Sequence, residues 1–330
     1  MTQSLKKVLL LHTGGTLGMQ GAPLEPGTYS QKLLERVPEL AQLAELQIRV
    51  LENLDSSDVG PEEWSLIARE VERGRGHVDG IVILHGTDTM AFSASALAFA
   101  LEGLDRPVVM TGAQRPLAAH RTDARRNLTD AVAFATCDIP EVGIGFDGLL
   151  LRGCRAVKSD VRSYHAFESP GCEPLARMGF DVAIAAHVRR PRGPFRCDPR
   201  FDPRVAVVYA TPGLEPATVA AMLDGATAPR GLVLAAFGVG TVPVRGRALA
   251  PVVKRAVDGG VEVLVVTQRG GIVDLSLYKN SMVLAEAGAI PGGELRVEAA
   301  VAKLMHALAA FGDRAARRKY LETDVAGERA

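Results

Sequence analysis

Residues 79–86, DGIVILHG, carry an unbroken apolar run from Ile81 to Leu84. A strand with no polar face has to be covered on both sides, which is the situation of a strand inside a parallel sheet. Runs of the same kind occur at 6–11 (KKVLLL) and 106–112 (RPVVMTG). Helical patterns alternate with them. PEEWSLIAREVERG (61–74) opens with Pro61 at a first helical position and spaces Trp64, Ile67, Ala68 and Val71 on one face. DTMAFSASALAFALEG (88–103) reads as a nearly all-apolar helix closed by Gly103, and DARRNLTDAVAFAT (123–136) as the next helix. A βαβαβα order predicts an α/β fold with an N-terminal doubly wound, mostly parallel sheet. EVGIGFDGLLLRG (141–153) breaks the rhythm as a β-hairpin turning at Asp147-Gly148.

The segment 189–204, RRPRGPFRCDPRFDPR, is rich in proline and arginine and has no periodicity. It reads as a solvated interdomain linker between an N-terminal catalytic domain (1–188) and a smaller C-terminal α/β domain (205–330). Beyond it alternation resumes. VAVVYA, GLVLAAFG and VEVLVVTQ read as strands, and PATVAAMLDG, LAPVVKRAVDGG, GELRVEAAVAKLMHALAAFG and DRAARRKYLE as helices, predicting a second parallel sheet. A length of 330 residues suits two domains.

Bulk properties narrow the function classes. Thirty-eight basic residues balance 38 acidic ones, so no global charge favours nucleic acid or an anionic membrane surface. No apolar segment approaches the ~20 residues of a membrane span. The N-terminal lysines and leucines read as a first strand rather than a signal peptide, since glycines follow Leu11 and no cleavage pattern appears. Cys137, Cys154, Cys172 and Cys197 form no CxxC pair and read as reduced thiols of a cytoplasmic protein.

The chemistry concentrates in two loops that follow strands. HTGGTLGM (12–19) holds Gly14, Gly15 and Gly18, which do not have the spacing of a dinucleotide fingerprint, and no Walker lysine follows. LHGTDTM (84–90) again sets a threonine beside glycine and adds Asp88. Loops at the carboxyl ends of neighbouring strands converge on the usual ligand crevice of an open α/β sheet. A threonine hydroxyl needs a base to become a nucleophile, and a lysine of depressed proton affinity can serve. Lys158, at the end of a short strand after the hairpin, is available, although spacing alone does not select it. The histidines form no HExxH or ligand-spaced cluster, so no metal is expected, and His12 and His85 read as packing or loop hydrogen-bonding groups. No GxSxG is present, which leaves threonine as the candidate nucleophile.

Taken in order, TGGTLGM, DSSD, HGTDTMAFSASAL, TGAQRPLAAHRTDARRNLTDA, RAVKSDVRSYHAFESP, AVVYATPGL, AAFGVGTVP and GGELRVEAAVAKL resemble the bacterial-type L-asparaginases, particularly the cytoplasmic branch, along the whole chain. The resemblance implies a hydrolase converting L-asparagine to L-aspartate and ammonia without cofactor or metal, with glutamine as a side substrate. It implies Thr16 as nucleophile and Thr87, Asp88 and Lys158 as a second catalytic group. It further implies Asp55, Ser56 and Ser57 around the substrate α-carboxylate, Asp88 on the α-amino group, and the Ala113 carbonyl on the carboxamide nitrogen. Thr13 is read as structural. The family suggests a homodimer or homotetramer acting on a small-molecule substrate, with no nucleic-acid or membrane partner.

Two departures stand out. The family's lid tyrosine falls near Pro23, while Tyr29 lies several residues later. Tyr29 has two readings of equal weight: a lid residue reaching the nucleophile from a differently shaped loop, or a side chain packed on the following helix. Val157, Ala235 and Arg269 replace groups with which some cytoplasmic members bind a second asparagine, which argues against that site. Two other functions compete. An amidase subunit of a tRNA-dependent amidotransferase shares the fold but carries an added N-terminal domain, whereas the first strand here begins within about ten residues of Met1. A non-catalytic amino-acid-sensing module is expected to lack one of Thr16, Thr87, Asp88 or Lys158, and all are present.

Overall fold

The computed structural model describes residues 4–15 and 33–329, together with the backbone of 19–20 and 25–26. The chain divides into two compact units, Met1–Pro199 and Arg200–Ala330. The first contains β1 (Lys7–Gly14), the two-residue strands β2 (Met19–Gln20) and β3 (Glu25–Pro26), and the short helices α1 (Leu33–Arg36) and α2 (Leu40–Leu43). It continues through β4 (Glu45–Leu54), α3 (Pro61–Arg75), β5 (Gly80–Leu84), α4 (Met90–Ala100), β6 (Leu101–Glu102), β7 (Val108–Thr111) and α5 (Ala124–Ala135). The hairpin β8 (Val142–Phe146) and β9 (Leu149–Arg152) follows, then β10 (Val157–Lys158), β11 (Phe167–Glu168), β12 (Ala176–Met178), β13 (Val182–Ile184) and β14 (Arg196–Cys197).

Eight strands form one sheet in the order β13-β12-β9-β8-β7-β5-β1-β4. The strands from β8 to β4 are mutually parallel, and β9, β12 and β13 extend the sheet antiparallel. The apolar runs explain the middle. Every residue of β5 and β7 is buried, so both faces are covered as continuous hydrophobicity demands. Helix α5 lays Leu128, Ala131, Val132 and Ala135 against Val8, Leu10, Val82 and Val109. On α3, Trp64, Ile67, Ala68 and Val71 are buried, the face its spacing implies. The hairpin turns where expected, with Asp147 at φ 49° and Gly148 at φ 75°, a pair of left-handed residues that matches the twist of the flanking strands.

Helix α4 stops at Ala100, short of Gly103. The reason is tertiary: Leu101–Glu102 pairs antiparallel with Arg196–Cys197, and the Asp198 N–H donates to the Ala100 carbonyl. The first part of the proline-arginine segment is thereby hydrogen-bonded into the first unit. In the same segment the Arg189 N–H donates to the Glu141 carboxylate at 2.7 Å.

The second unit holds β15 (Val205–Tyr209), α6 (Pro216–Met222), β16 (Gly231–Ala236), α7 (Ala250–Asp258), β17 (Glu262–Thr267), α8 (Lys279–Glu286), β18 (Ile290–Pro291), α9 (Val297–Ala310) and α10 (Arg314–Glu322). Its four-stranded sheet, β15-β16-β17-β18, is entirely parallel. A fully buried ion pair, Lys303 to Glu328 at 2.5 Å, ties α9 to the C-terminal segment. Among the described residues no helix is long and apolar enough to cross a membrane.

Candidate active site

Four loops leave the carboxyl ends of β1, β4, β5 and β7, neighbours in the parallel part of the sheet, where open α/β sheets form their ligand crevice. The first begins with Gly14 at φ +122° and Gly15 at φ +92°. A Cβ on Gly14 would sit 2.1 Å from the Leu54 carbonyl oxygen, and one on Gly15 would sit 2.5 Å from the Gly86 nitrogen. Only glycine admits this combination of backbone angle and close approach. The loop is pressed between the ends of β4 and β5, and the Gly15 N–H donates to Leu54 O at 3.1 Å. Thr13 is buried and donates its hydroxyl to Leu84 O at 2.8 Å, binding β1 to β5. Thr16 and Tyr29 lie outside the described residues.

The second loop, after β5, carries Thr87 and Asp88. Lys158 Nζ donates to Thr87 Oγ1 at 2.8 Å and to Asp88 Oδ1 at 2.6 Å. The lysine arrives from β10, whose antiparallel pairing with β11 sets Lys158 opposite Phe167. Its side chain is 12% exposed, whereas that of Asp88 is 66% exposed. The ammonium therefore joins a buried hydroxyl to a carboxylate open to solvent, through charge-assisted bonds. A lysine so placed can tune the proton affinity of the hydroxyl, and the open carboxylate can receive a cationic group.

The loop is held from behind by a buried chain of hydrogen bonds. Trp64 Nε1 donates to Ser93 Oγ at 2.8 Å, Ser93 Oγ lies 3.0 Å from His85 Nε2, and His85 Nδ1 lies 2.6 Å from Gly86 O. Burial pushes the imidazole down to about 4, so His85 is neutral, donating from Nδ1 and accepting at Nε2. His85 thus bonds within its own loop, and His12, also pushed down by burial, faces the Glu52 carbonyl.

After β4, Asp55 caps a 3-10 turn at Ser56–Asp58. Its Oδ1 accepts from the Ser57 N–H at 2.8 Å and from the Ser57 hydroxyl at 2.7 Å. These bonds hold the Asp55 carboxyl below the usual range, the backbone bond foremost. Ser56 is buried against Gly86, where a Cβ would come within 2.6 Å of its side chain, and its carbonyl accepts from Thr89 Oγ1 at 2.6 Å. After β7, Ala113 is 1% exposed, and buried Asp123 takes the N–H groups of Gln114 and Arg115 at 2.9 and 3.1 Å.

The structure brings Thr87, Asp88 and Lys158 into contact and packs the Asp55–Ser57 turn against their loop. It also adds Gln114 and Asp123, which the sequence reading does not single out. Their signal is present there: both are polar and lie in the segment between a strand and the next helix, in a motif, TGAQRPLAAHRTDA, that carries two threonines and no hydrophobic period.

Similarity to known proteins points the same way. The family description "Asparaginase, N-terminal" matches residues 7–190, and "Glutaminase/Asparaginase C-terminal domain" matches residues 204–321. The L-asparaginase of Thermococcus kodakarensis is 36% identical over 330 residues, covering 98% of each chain. L-asparaginase 1 of Escherichia coli K12 is 34% identical over 333 residues, again covering 98% of each. The solved structure of the thermostable L-asparaginase from Thermococcus kodakarensis superposes with a TM-score of 0.90 at 35% identity, covering 98% of this chain and 99% of that one. A glutamyl-tRNA(Gln) amidotransferase subunit of Pyrococcus furiosus is 32% identical over 99% of this chain and 77% of that protein. With both family regions matched in order and full-length relatives at 34–36% identity, the chain belongs to the asparaginase family of hydrolases.

Proposed function

We propose that this protein is an L-asparagine amidohydrolase using Thr16 as nucleophile. The observation that carries the reading is the junction of Lys158 Nζ with both the Thr87 hydroxyl and the Asp88 carboxylate, on the loop against which Gly15 packs. Gly15 immediately precedes Thr16 in the chain.

In this reading the Thr16 oxygen attacks the side-chain carboxamide carbon. The C–N bond then breaks, an acyl ester forms on Thr16, and the hydroxyl proton ends on the departing nitrogen as ammonia. Thr87 relays that proton: its oxygen takes the Thr16 proton on a free lone pair as its own hydrogen turns from its resting partner, Gln114, to the departing nitrogen, with Lys158 and Asp88 tuning its proton affinity. Water hydrolyses the ester to release aspartate and restore the hydroxyl. Backbone N–H groups of the first two loops stabilise the oxyanion. The Gly15 N–H is already bonded to Leu54 O and is not one of these donors. The exposed Asp88 carboxylate suits the substrate α-ammonium. Hydroxyl and backbone donors of Ser56 and Ser57 receive the α-carboxylate, with Asp55 beside them holding the turn. This requires the Ser57 hydroxyl to turn away from Asp55. The Ala113 carbonyl accepts from the carboxamide nitrogen.

The test is ammonia release from L-asparagine, L-glutamine and D-asparagine by wild type and Thr16→Ala. Wild type is expected to act on L-asparagine and the variant to be inactive. An inactive wild type or a fully active variant refutes the proposal. Tyr29→Phe separates the readings of that residue, slowing turnover only if its hydroxyl meets the nucleophile. Similarity to an amidotransferase component favours one second reading, in which the same hydrolysis supplies ammonia to a partner acting on charged tRNA. Full turnover of free L-asparagine by the isolated chain would count against it.

A further inference from the structure

The side-chain amide of Gln114 lies between Thr87 and the turn that follows Lys158. Its Oε1 accepts from Thr87 Oγ1 at 3.1 Å. Its Nε2 donates to the carbonyls of Ser163 at 3.1 Å and Asp160 at 3.5 Å. Those carbonyls determine which end of the amide is which, because a flipped amide would set its oxygen against two more oxygens.

The amide is itself held firmly. The Gln114 N–H is bonded to Asp123 Oδ2 at 2.9 Å, and the same oxygen takes Asn127 Nδ2 at 3.0 Å. Asp123 and Asn127 are 7% and 1% exposed. The far anchor is ordered as well, since Asp160 Oδ1 accepts from the N–H groups of Arg162 at 2.6 Å and Ser163 at 2.8 Å.

This arrangement has a consequence for the Thr87 hydroxyl, which owns one proton and two lone pairs. The proton points at Gln114 and one lone pair takes the Lys158 N–H at 2.8 Å. One lone pair is left. We infer that Gln114 is a positioning residue that sets the polarity of Thr87, holding its hydroxyl in the orientation that receives a proton. The inference rests on the asparaginase reading, because the part Thr87 plays in proton transfer belongs to it. Without Gln114 the hydroxyl rotor is free to turn its proton toward the crevice, which blocks the first transfer without changing the groups that bind substrate.

Gln114→Met keeps the side-chain length and removes both the acceptor and the donor. The expected result is kcat lower by about three- to tenfold, the worth of one neutral hydrogen bond, with KM within about twofold of wild type. Gln114→Glu supplies the readout that a merely structural role would not move. When protonated, the introduced carboxyl reproduces the amide, accepting from Thr87 and donating to Ser163. When ionised, it has no proton for the Ser163 and Asp160 carbonyls and is repelled by them, which drives the side chain off its anchor and away from Thr87. Its kcat is therefore expected to fall as pH rises through the carboxyl pKa, a limb missing from the wild-type profile. Combining Gln114→Met with Thr87→Val is expected to cost no more than Thr87→Val alone.

Equal losses from Gln114→Met in both backgrounds would overturn the inference, as would a wild-type pH profile in Gln114→Glu. If Gln114→Met does not fold, as judged by the fluorescence of Trp64, the Gln114→Glu profile decides the matter. An inactive wild type would overturn the asparaginase reading along with the inference. An active wild type with unaffected Gln114 variants would overturn the inference alone.

Discussion

His85 offers a test of how the loop bearing Thr87 is held. The imidazole is 1% exposed and bridges Ser93 Oγ and the Gly86 carbonyl, one residue before Thr87. Burial lowers its pKa from 6.5 to about 4. Below pH 6.5 unfolded chains take up a proton at this position while the folded chain does not, so acid favours unfolding down to about pH 4, where the folded form also protonates. A gap of about 2.5 pH units at 1.36 kcal/mol each corresponds to about 3 kcal/mol of unfolding free energy lost between pH 6.5 and 4. His85→Gln keeps a donor and an acceptor but does not titrate. It should be less stable than wild type at pH 7, by about 1–3 kcal/mol for the imperfectly replaced bonds and packing. By pH 4 that deficit should close or reverse. Carboxylates and His12 titrate in both proteins and cancel in the comparison. Urea unfolding at a series of pH values measures the difference, followed by fluorescence of Trp64, the single tryptophan, whose indole N–H ends the same hydrogen-bond chain. A stability difference between the two proteins that is constant from pH 7 to pH 4 would refute the assignment of a neutral, desolvated His85.

Gly15→Ala should lower kcat for ammonia release by about a hundredfold and depress the melting temperature, since φ +92° and a Cβ 2.5 Å from the Gly86 nitrogen force the loop apart just before Thr16. Arg152→Met should destabilise the first unit by about 3–5 kcal/mol in urea unfolding, because it leaves the buried Glu141 carboxylate without the guanidinium that holds it at 2.6 and 2.9 Å, with both side chains under 10% exposed and the Arg189 N–H still bonded to it. Adding Glu141→Leu should recover part of that loss. Asp202, bonded first by Arg204 and also by Arg230, is pushed down to about 2 from 3.8, so it stabilises the second unit above pH 3.8 and gives this up as pH falls toward 2. Asp202→Asn should remove about 2 kcal/mol of acid-dependent stability from that unit, read by calorimetry between pH 5 and 2.

The elements legible from the sequence are those whose burial is uniform. β5 and β7 are buried at every position and almost wholly apolar because helices cover both faces, and such runs announce themselves. β4 carries no such mark. Its sequence, ELQIRVLENL, alternates half-buried with exposed residues, as an edge strand does, and its pairing with β1 comes from tertiary contact. β12 and β13 are hidden for a similar reason: three residues each, with no continuous apolar run, they exist as strands through register with β9 and with each other. The end of α4 differs from the expected Gly103 because Leu101–Glu102 pairs with a segment 94 residues away at Arg196.

At the site the division is sharper. Gly14, Gly15, Thr87 and Asp88 can be named from two short stretches, because glycine beside a hydroxyl at a strand end is a local pattern. Lys158 is nameable only through family resemblance, since it lies 70 residues from Asp88 in a segment with no local mark. The sequence by itself determined that a parallel sheet would form and that threonine-bearing loops would leave it, because burial and backbone freedom are properties of neighbouring residues. The order of strands decided that the β1 and β5 loops touch, and tertiary packing of β10 and of the loop after β7 decided that Lys158 and Gln114 reach Thr87. Hydrogen bonds between groups far apart in the chain depend on distances of a few tenths of an ångström, and only the packed fold sets those.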